Sequence, residues 1–400
     1  MKEAILNKSD NTNGLNNKKF FIKTKINIVI SSLMFIGLLA TTTLLIFNNK
    51  NIKNFSSNSI NRLLKEEDDY SFVSEYIIES EDQTIQLINS KFKNIITKLV
   101  IDGEQKEPCT SYNFKSKGIH RVYFTLNLEG VTSFEEMFFY NTNLTSITFS
   151  PSFNTENITN FRRWFSWCIK LQSIDLSHIN LRGAQALTLF LSFDKSLKTI
   201  DLSNIYAENL TDMSAAFYGS ESITFINLTN FSAPKLWEMI HTFRECTSLT
   251  SIDFTNFRAP KLMTLQNAFY KASSLKSVNL SSVVSDDFRN LMDTFYDCHS
   301  IENIYLPITT IKKDIFLIRT FTNCYSLTSI DLSNYIGRSL NAEIFQGCAN
   351  LSYIDISSFD HVTTNLFKDL PKEGEIKLNK RAFNDIKDLI PEDWTIILVK

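Results

Sequence analysis

One short line recurs along this chain and leaves few folds open to it. It reads NLTSITFS at 143–150, KLQSIDLS at 170–177, SLKTIDLS at 196–203, SITFINLT at 222–229 and SLTSIDFT at 248–255. It continues as SLKSVNLS at 274–281, SIENIYLP at 300–307, SLTSIDLS at 326–333 and NLSYIDIS at 350–357. The first apolar residue falls at Leu144, Leu171, Leu197, Ile223, Leu249, Leu275, Ile301, Leu327 and Leu351, in steps of 27, then 26 six times, then 24. Nine copies at a nearly fixed period point to a solenoid. Each copy is one coil, and stacking buries the apolar side that no single coil can bury alone.

Within each copy the pattern L-x-x-I-x-L sets the last two apolar residues two apart, on one face of an extended chain. In the copy at 249–254, Leu249, Ile252 and Phe254 point inwards while Ser251 and Asp253 point outwards. Six residues before each first Leu or Ile stands Phe138, Phe165, Phe217, Phe243, Phe269, Phe295, Phe321 or Phe345, with Leu191 in the remaining copy. Four residues further back comes another apolar residue, as in Met213, Met239, Leu265, Leu291 and Leu317, a spacing that fits about one helical turn. Each coil is therefore expected to be a strand, a turn built on residues such as Ser-Asn-Phe, and a helical or irregular return. The expected fold is an α/β repeat solenoid of leucine-rich-repeat type with a phenylalanine ladder inside. The 33 phenylalanines agree with one buried position used again and again, and the 10 glycines and 7 prolines imply few special turns.

The most complete copy, FTNCYSLTSIDLSNY from Phe321 to Tyr335, resembles the BspA-like leucine-rich-repeat surface proteins. The resemblance covers about 131–357, and LPKEGEIKLNKRAFNDIKDLIPEDWTIIL from Leu370 to Leu398 resembles the segment that closes such arrays. It implies a cell-surface protein with an adhesion or ligand-binding role, and it carries over no catalytic residues.

The chain outside the array divides by composition. Residues 1–25 are polar and rich in Asn and Lys, a disordered tail. Ile26 to Phe47 is a run of 22 residues without a charge, long enough for a membrane-spanning helix and longer than a usual signal-peptide core. Lys18, Lys19, Lys23 and Lys25 crowd its N-terminal edge, which favours a cytoplasmic N-terminus and an extracellular solenoid. Residues 48–69 read as a flexible stalk, 70–130 as a β-rich cap module, 131–357 as the solenoid and 358–400 as a C-terminal cap.

Chemistry-bearing residues follow the repeat. Cys168, Cys246, Cys298, Cys324 and Cys348 share one position, occupied elsewhere by Asn141, Asp194, Ser220 and Ala272. Alternation with small residues reads as a buried packing site, and parallel side chains in adjacent coils favour free thiols over disulfides. No CxxC or HxxxH spacing, P-loop, Rossmann fingerprint or GxSxG is present, so no metal, cofactor or enzymatic activity is expected. With 41 basic against 43 acidic residues, nothing draws the chain to nucleic acid. The outward strand position carries Asp175, Asp201, Asn227, Asp253, Asn279, Tyr305, Asp331 and Asp355, an acidic and amide stripe along the sheet. As a binding face it would take a protein or glycan ligand. As plain architecture, Asp and Asn there favour the turn that follows. The leading expectation is a membrane-anchored recognition or adhesion protein. The alternatives are a cytoplasmic-facing membrane scaffold and a passive surface spacer.

Overall fold

The computed structural model describes residues 71–399, apart from 310–313, 338–339, 341 and 363–365. The expectations for 1–25, 26–47 and 48–69 lie outside the described residues. Among the described residues no helix is long and apolar enough to cross a membrane.

Six strands precede the first coil: β1 (Ser71–Ile78), β2 (Gln83–Gln86), β3 (Ile96–Ile101), β4 (Glu104–Lys106), β5 (Ser111–Phe114) and β6 (Gly118–Leu126). The coils then supply one strand each: β7 (Leu144–Phe149), β8 (Ser173–Asp175), β9 (Thr199–Asp201), β10 (Phe225–Asn227), β11 (Ser251–Asp253), β12 (Ser277–Asn279), β13 (Asn303–Tyr305), β14 (Ser329–Asp331) and β15 (Tyr353–Asp355). β16 (Gly374–Asn379), the helix α1 (Lys380–Ile386) and β17 (Trp394–Val399) follow. β1 lies antiparallel between β6 and β7, with Phe72 opposite Phe149, so the apolar edge of the first coil is covered. At the other end β16 and β17 add to β15 in parallel, Ile376 beside Ile354 and Ile396 beside Ile376.

The array is mostly sheet and turn, which corrects the α/β expectation: of the helical or irregular returns expected, the described ones are irregular, apart from a short 3-10 helix at Ala342–Phe345. The residue four before each first Leu or Ile has a left-handed backbone in all nine coils: Tyr140, Trp167, Phe193, Gly219, Glu245, Lys271, Asp297, Asn323 and Gly347, with φ between 59° and 78°. The residue eight before does the same in eight coils, from Glu136 to Arg319. A left-handed residue every fourth position prevents the run of right-handed residues that an α-helix requires. The backbone instead alternates bonds to the next coil with local turns. In coil five the N–H groups of His241, Phe243 and Glu245 donate to Gln266 O (3.0 Å), Ala268 O (2.8 Å) and Tyr270 O (2.8 Å). Arg244 and Cys246 donate back three residues, to His241 O and Phe243 O. Among the described residues twenty non-glycine residues stand at positive φ, so the scarcity of glycine does not mean a scarcity of special turns. Cross-coil bonding, renewed at every step, outweighs a strain of about 1–2 kcal/mol per left-handed residue.

The interior is the expected phenylalanine ladder. Phe217, Phe243, Phe269, Phe295, Phe321 and Phe345 stack with centroids 5.2–5.9 Å apart and planes within 18° of parallel. Phe138 and Phe165 form a second stack at 4.9 Å. Leu191 separates the two, and Phe190 with Trp164 fills the volume beside it, their rings 5.8 Å apart. All these side chains are buried.

The cysteine position has a defined role. The thiols of Cys168, Cys246, Cys298, Cys324 and Cys348 each donate to the carbonyl of the ladder residue one coil earlier, at 3.0–3.1 Å. Ser220 does the same to Leu191 O at 2.7 Å. Asn141 makes the corresponding bond to Leu87 O at 2.8 Å in the segment before the first coil. A small donor there satisfies the ladder residue's buried carbonyl in these seven coils; Asp194 and Ala272 supply none. All six cysteines are free thiols. Burial holds the five ladder thiols well above the usual thiol range, Cys348 at about 12.

Candidate binding face

Parallel pairing brings the outward residues of neighbouring strands into register: Asp201 beside Asn227, Asn227 beside Asp253, Asn279 beside Tyr305, and Asp331 beside Asp355. Each Asp or Asn also fixes the turn that leaves the strand. Its Oδ1 accepts the N–H two residues on, from Ser177, Ser203, Thr229, Thr255, Ser281, Ser333 and Ser357, at 2.8–3.0 Å. One oxygen of each aspartate is therefore committed to architecture, and the second is left for solvent or a ligand. Asp175, Asp201, Asn279, Tyr305 and Asp331 are exposed, while Asn227 and Asp253 are half-buried.

Asp355 departs from the stripe. It is 2% exposed, and Lys377 Nζ, on β16, holds its Oδ2 at 2.7 Å. That bond raises the Lys377 ammonium above its ordinary value. The partner comes from beyond the last copy of the repeat, so periodicity alone could not reveal it. Asp355 is removed from the exposed face.

The ladder of strands is also interrupted, at β8–β9, β11–β12 and β13–β14. The first interruption is the most complete. At the second and third, Lys276 N still reaches Thr250 O (3.3 Å) and Thr328 N reaches Glu302 O (3.4 Å). Between 172–181 and 198–207 no hydrogen bond forms at all among the described residues. In the next pair of coils, Leu202, Asn204 and Ala207 donate to Asn227, Thr229 and Ser232 at 2.8–2.9 Å. The corner residue also differs between coil two and the three coils after it. Asn204, Asn230 and Asn256 take a left-handed backbone seven residues after the first Leu or Ile. Their amides form a chain, Asn230 Nδ2 to Asn204 Oδ1 (2.8 Å) and Asn256 Nδ2 to Asn230 Oδ1 (2.9 Å). His178 stands at that position in coil two, outside the left-handed region. Asparagine adopts this conformation more readily than most residues because its short amide bonds locally.

Coils two and three are unpaired on the sheet side while their returns stay joined, for instance by Phe165 N to Phe190 O at 3.0 Å. The gap is a crevice of about 560 Å³. Ile174, half-buried where the central strand residue of every later coil is buried, lies in its wall with Ile179 and Leu181. Asp175 and Asp201 face it from the two strands, and Arg182 and Tyr206 from the corners. Arg182 Nε is bonded to Glu208 at 2.7 Å, and its guanidinium lies 5.9 Å from the centre of the Tyr206 ring. The stripe was legible in the sequence. The crevice was not.

No group of three or more His, Cys, Asp or Glu side chains that could hold a metal ion occurs among the described residues. The family model of the BspA type leucine rich repeat region matches six copies, over 107–233 and 291–390. A second model, described as Mycoplasma protein of unknown function, DUF285, matches 185–306. No curated protein matches the chain. Among solved structures, the TLR13–ssRNA13 complex is similar at 15% identity and a TM-score of 0.34, over 62% of this chain and 40% of that one. The plant peptide hormone receptor RGFR1 in complex with RGF2 is similar at 14% and 0.24, over 62% of this chain and 49% of that one. This chain thus spans less than half of either structure, and likenesses this loose carry no argument about function. The family match rests on the repeat itself, in phase with the observed coils: this chain belongs to the BspA-type leucine-rich-repeat proteins.

Proposed function

We propose that this is a membrane-anchored surface protein that recognises a macromolecular ligand, protein or glycan, through the sheet face of its solenoid. The observation that carries this reading is the stripe of outward polar residues, each pinned at one atom by its own turn. A face held in this way meets a ligand with little further loss of side-chain freedom, and pre-organisation of that kind favours affinity. The apolar run Ile26–Phe47 supplies the anchor in this reading, and the lysines before it favour an array outside the cell.

A second reading, a cytoplasmic-facing scaffold, draws on the five unpaired ladder thiols, which suit a reducing compartment. Their bonds to buried carbonyls account for them in either compartment, so the surface reading stands first. Its test is charge reversal at Asp201 and Asp253 together, with attachment of protein-coated beads to candidate cells and matrices as the readout. Loss of attachment with an unchanged melting temperature supports the sheet face. Undiminished attachment by D201K/D253K overturns it.

A further inference from the structure

We infer that the crevice between coils two and three is a subsite for a single basic side chain, lysine or arginine, presented by an extended segment of a partner polypeptide. This deepens the sheet-face reading and rests on it. The crevice volume, about 560 Å³, lies within the range of about 300–1,000 Å³ typical of ligand clefts. Its walls supply what a long cationic side chain needs. Ile174 and Ile179 offer apolar surface to an alkyl stem, and Asp175 and Asp201 close on the charge from opposite sides.

The charge balance of the lining points the same way. Its basic residue, Arg182, is already neutralised by Glu208 and shared with the Tyr206 ring. Asp175 and Asp201 have no cationic partner among the described residues, and each spends only Oδ1 on its own turn. Two unneutralised carboxylates on the walls of a half-enclosed gap focus a negative potential into it. Asp253 and Asp331 stand at the other two interruptions, where a backbone bond still joins the neighbouring coils.

The gap also leaves backbone unpaired: the amide of the exposed Lys198 makes no cross-coil bond, whereas that of Thr224 in the next pair of coils bonds at 2.8 Å. Such groups are the ones through which an extended peptide docks. A glycan would use hydroxyls and ring faces. Tyr206 is the aromatic residue of the lining, and Arg182 already lies over it.

The test uses the full chain in detergent, made in a bacterial host, and two acetylated, amidated heptapeptides, Gly-Ser-Gly-Lys-Gly-Ser-Gly and its norleucine counterpart. Binding is followed by saturation-transfer NMR. The variants are D175N/D201N and D253N/D331N. Asparagine keeps the turn bond, as Asn227 and Asn279 show, so both variants are expected to melt with the wild type. The expected result is saturable binding of the lysine peptide, at least tenfold weaker binding of the norleucine peptide, and a loss of more than tenfold in D175N/D201N alone. Equal binding by D175N/D201N and wild type overturns the subsite. Equal weakening in both variants also overturns it, because the stripe then acts as a diffuse anion, and sheet-face recognition survives. Binding of chitotriose at the crevice in place of the lysine peptide overturns it in favour of a glycan. If D201K/D253K attaches to partners normally while the lysine peptide behaves as expected, the subsite stands and the sheet-face reading fails.

Discussion

Phe269 is the residue at which the interior of the array is best weighed. Its ring is fully buried and stacked on both sides, 5.2 Å from Phe243 and 5.3 Å from Phe295, with planes 17° and 2° from parallel. Truncation to alanine removes the apolar transfer energy, leaves a hole that a stacked backbone cannot close, and breaks two ring pairs. Large-to-small changes of this kind cost about 3–5 kcal/mol, and each aromatic pair carries about 0.5–1.5 kcal/mol beyond its area. We therefore expect F269A at the upper end, about 4–5 kcal/mol. F269L follows the natural precedent of Leu191 and is expected to cost about 1–2 kcal/mol, because it keeps most of the volume. The assay is guanidinium unfolding followed at the buried indoles, Trp164 in coil two and Trp394 at the C-terminal end. A solenoid is stabilised coil by coil, so a broken central interface uncouples its halves. Variants with single tryptophans at these two positions are expected to unfold together in the wild type and at separate midpoints in F269A. A loss below about 1 kcal/mol, with one shared transition, would refute the claim that the ring ladder holds the coils together.

Other outcomes follow from single coils. Asp194 is fully buried at the cysteine position: Oδ1 accepts Cys168 N at 2.8 Å, while Oδ2 has no partner, and burial raises its carboxyl well above 3.8. The folded state then holds a proton that the unfolded chain has lost, so stability falls as pH climbs from about 4 towards the raised folded value, by up to about 1.4 kcal/mol per unit. D194N is expected to flatten that slope in denaturant midpoints taken between pH 4.5 and 7, and an unchanged slope contradicts the assignment. Lys271 is left-handed at φ 60°. K271G is expected to lie between neutral and about 0.5 kcal/mol stabilising and K271V to cost about 1–2 kcal/mol in thermal melts, and the reverse order would deny the strained return. Of the six thiols only Cys109 is part-exposed. An aromatic disulfide reagent should therefore titrate one thiol in the native protein and six in denaturant, whereas fast reaction of Cys324 would show an opened array.

The coils were legible because one buried apolar pattern returns nine times, and burial is what periodicity reports. The returns stayed open between a helical and an irregular form because residues four apart, such as Met239 and Phe243, satisfy a helical turn and a stack of β-turns equally well. The left-handed position between them carries Glu136, Arg163, Leu189, Ala215, His241, Asn267, Asp293 and Arg319 and no glycine, so composition hides it. Cross-coil hydrogen bonds set that backbone, and no residue type announces them. The cysteine position was readable as small and buried, but its purpose, a donor for the previous coil's carbonyl, depends on an acceptor about 29 residues away. Of the stripe, the register and outward direction were legible. The burial of Asp355 and the crevice at Asp175 and Asp201 were not: the first depends on Lys377, beyond the last copy of the repeat, and the second on how two whole coils pair.

The account turns on the array being displayed outside the cell. Protease shaving of intact cells that carry a different tag at each end of the chain tests this most directly. Surface display predicts that the C-terminal tag is lost while the N-terminal tag survives. If both tags survive on intact cells and the solenoid is cut only after permeabilisation, the array faces the cytoplasm and the recognition proposal is contradicted.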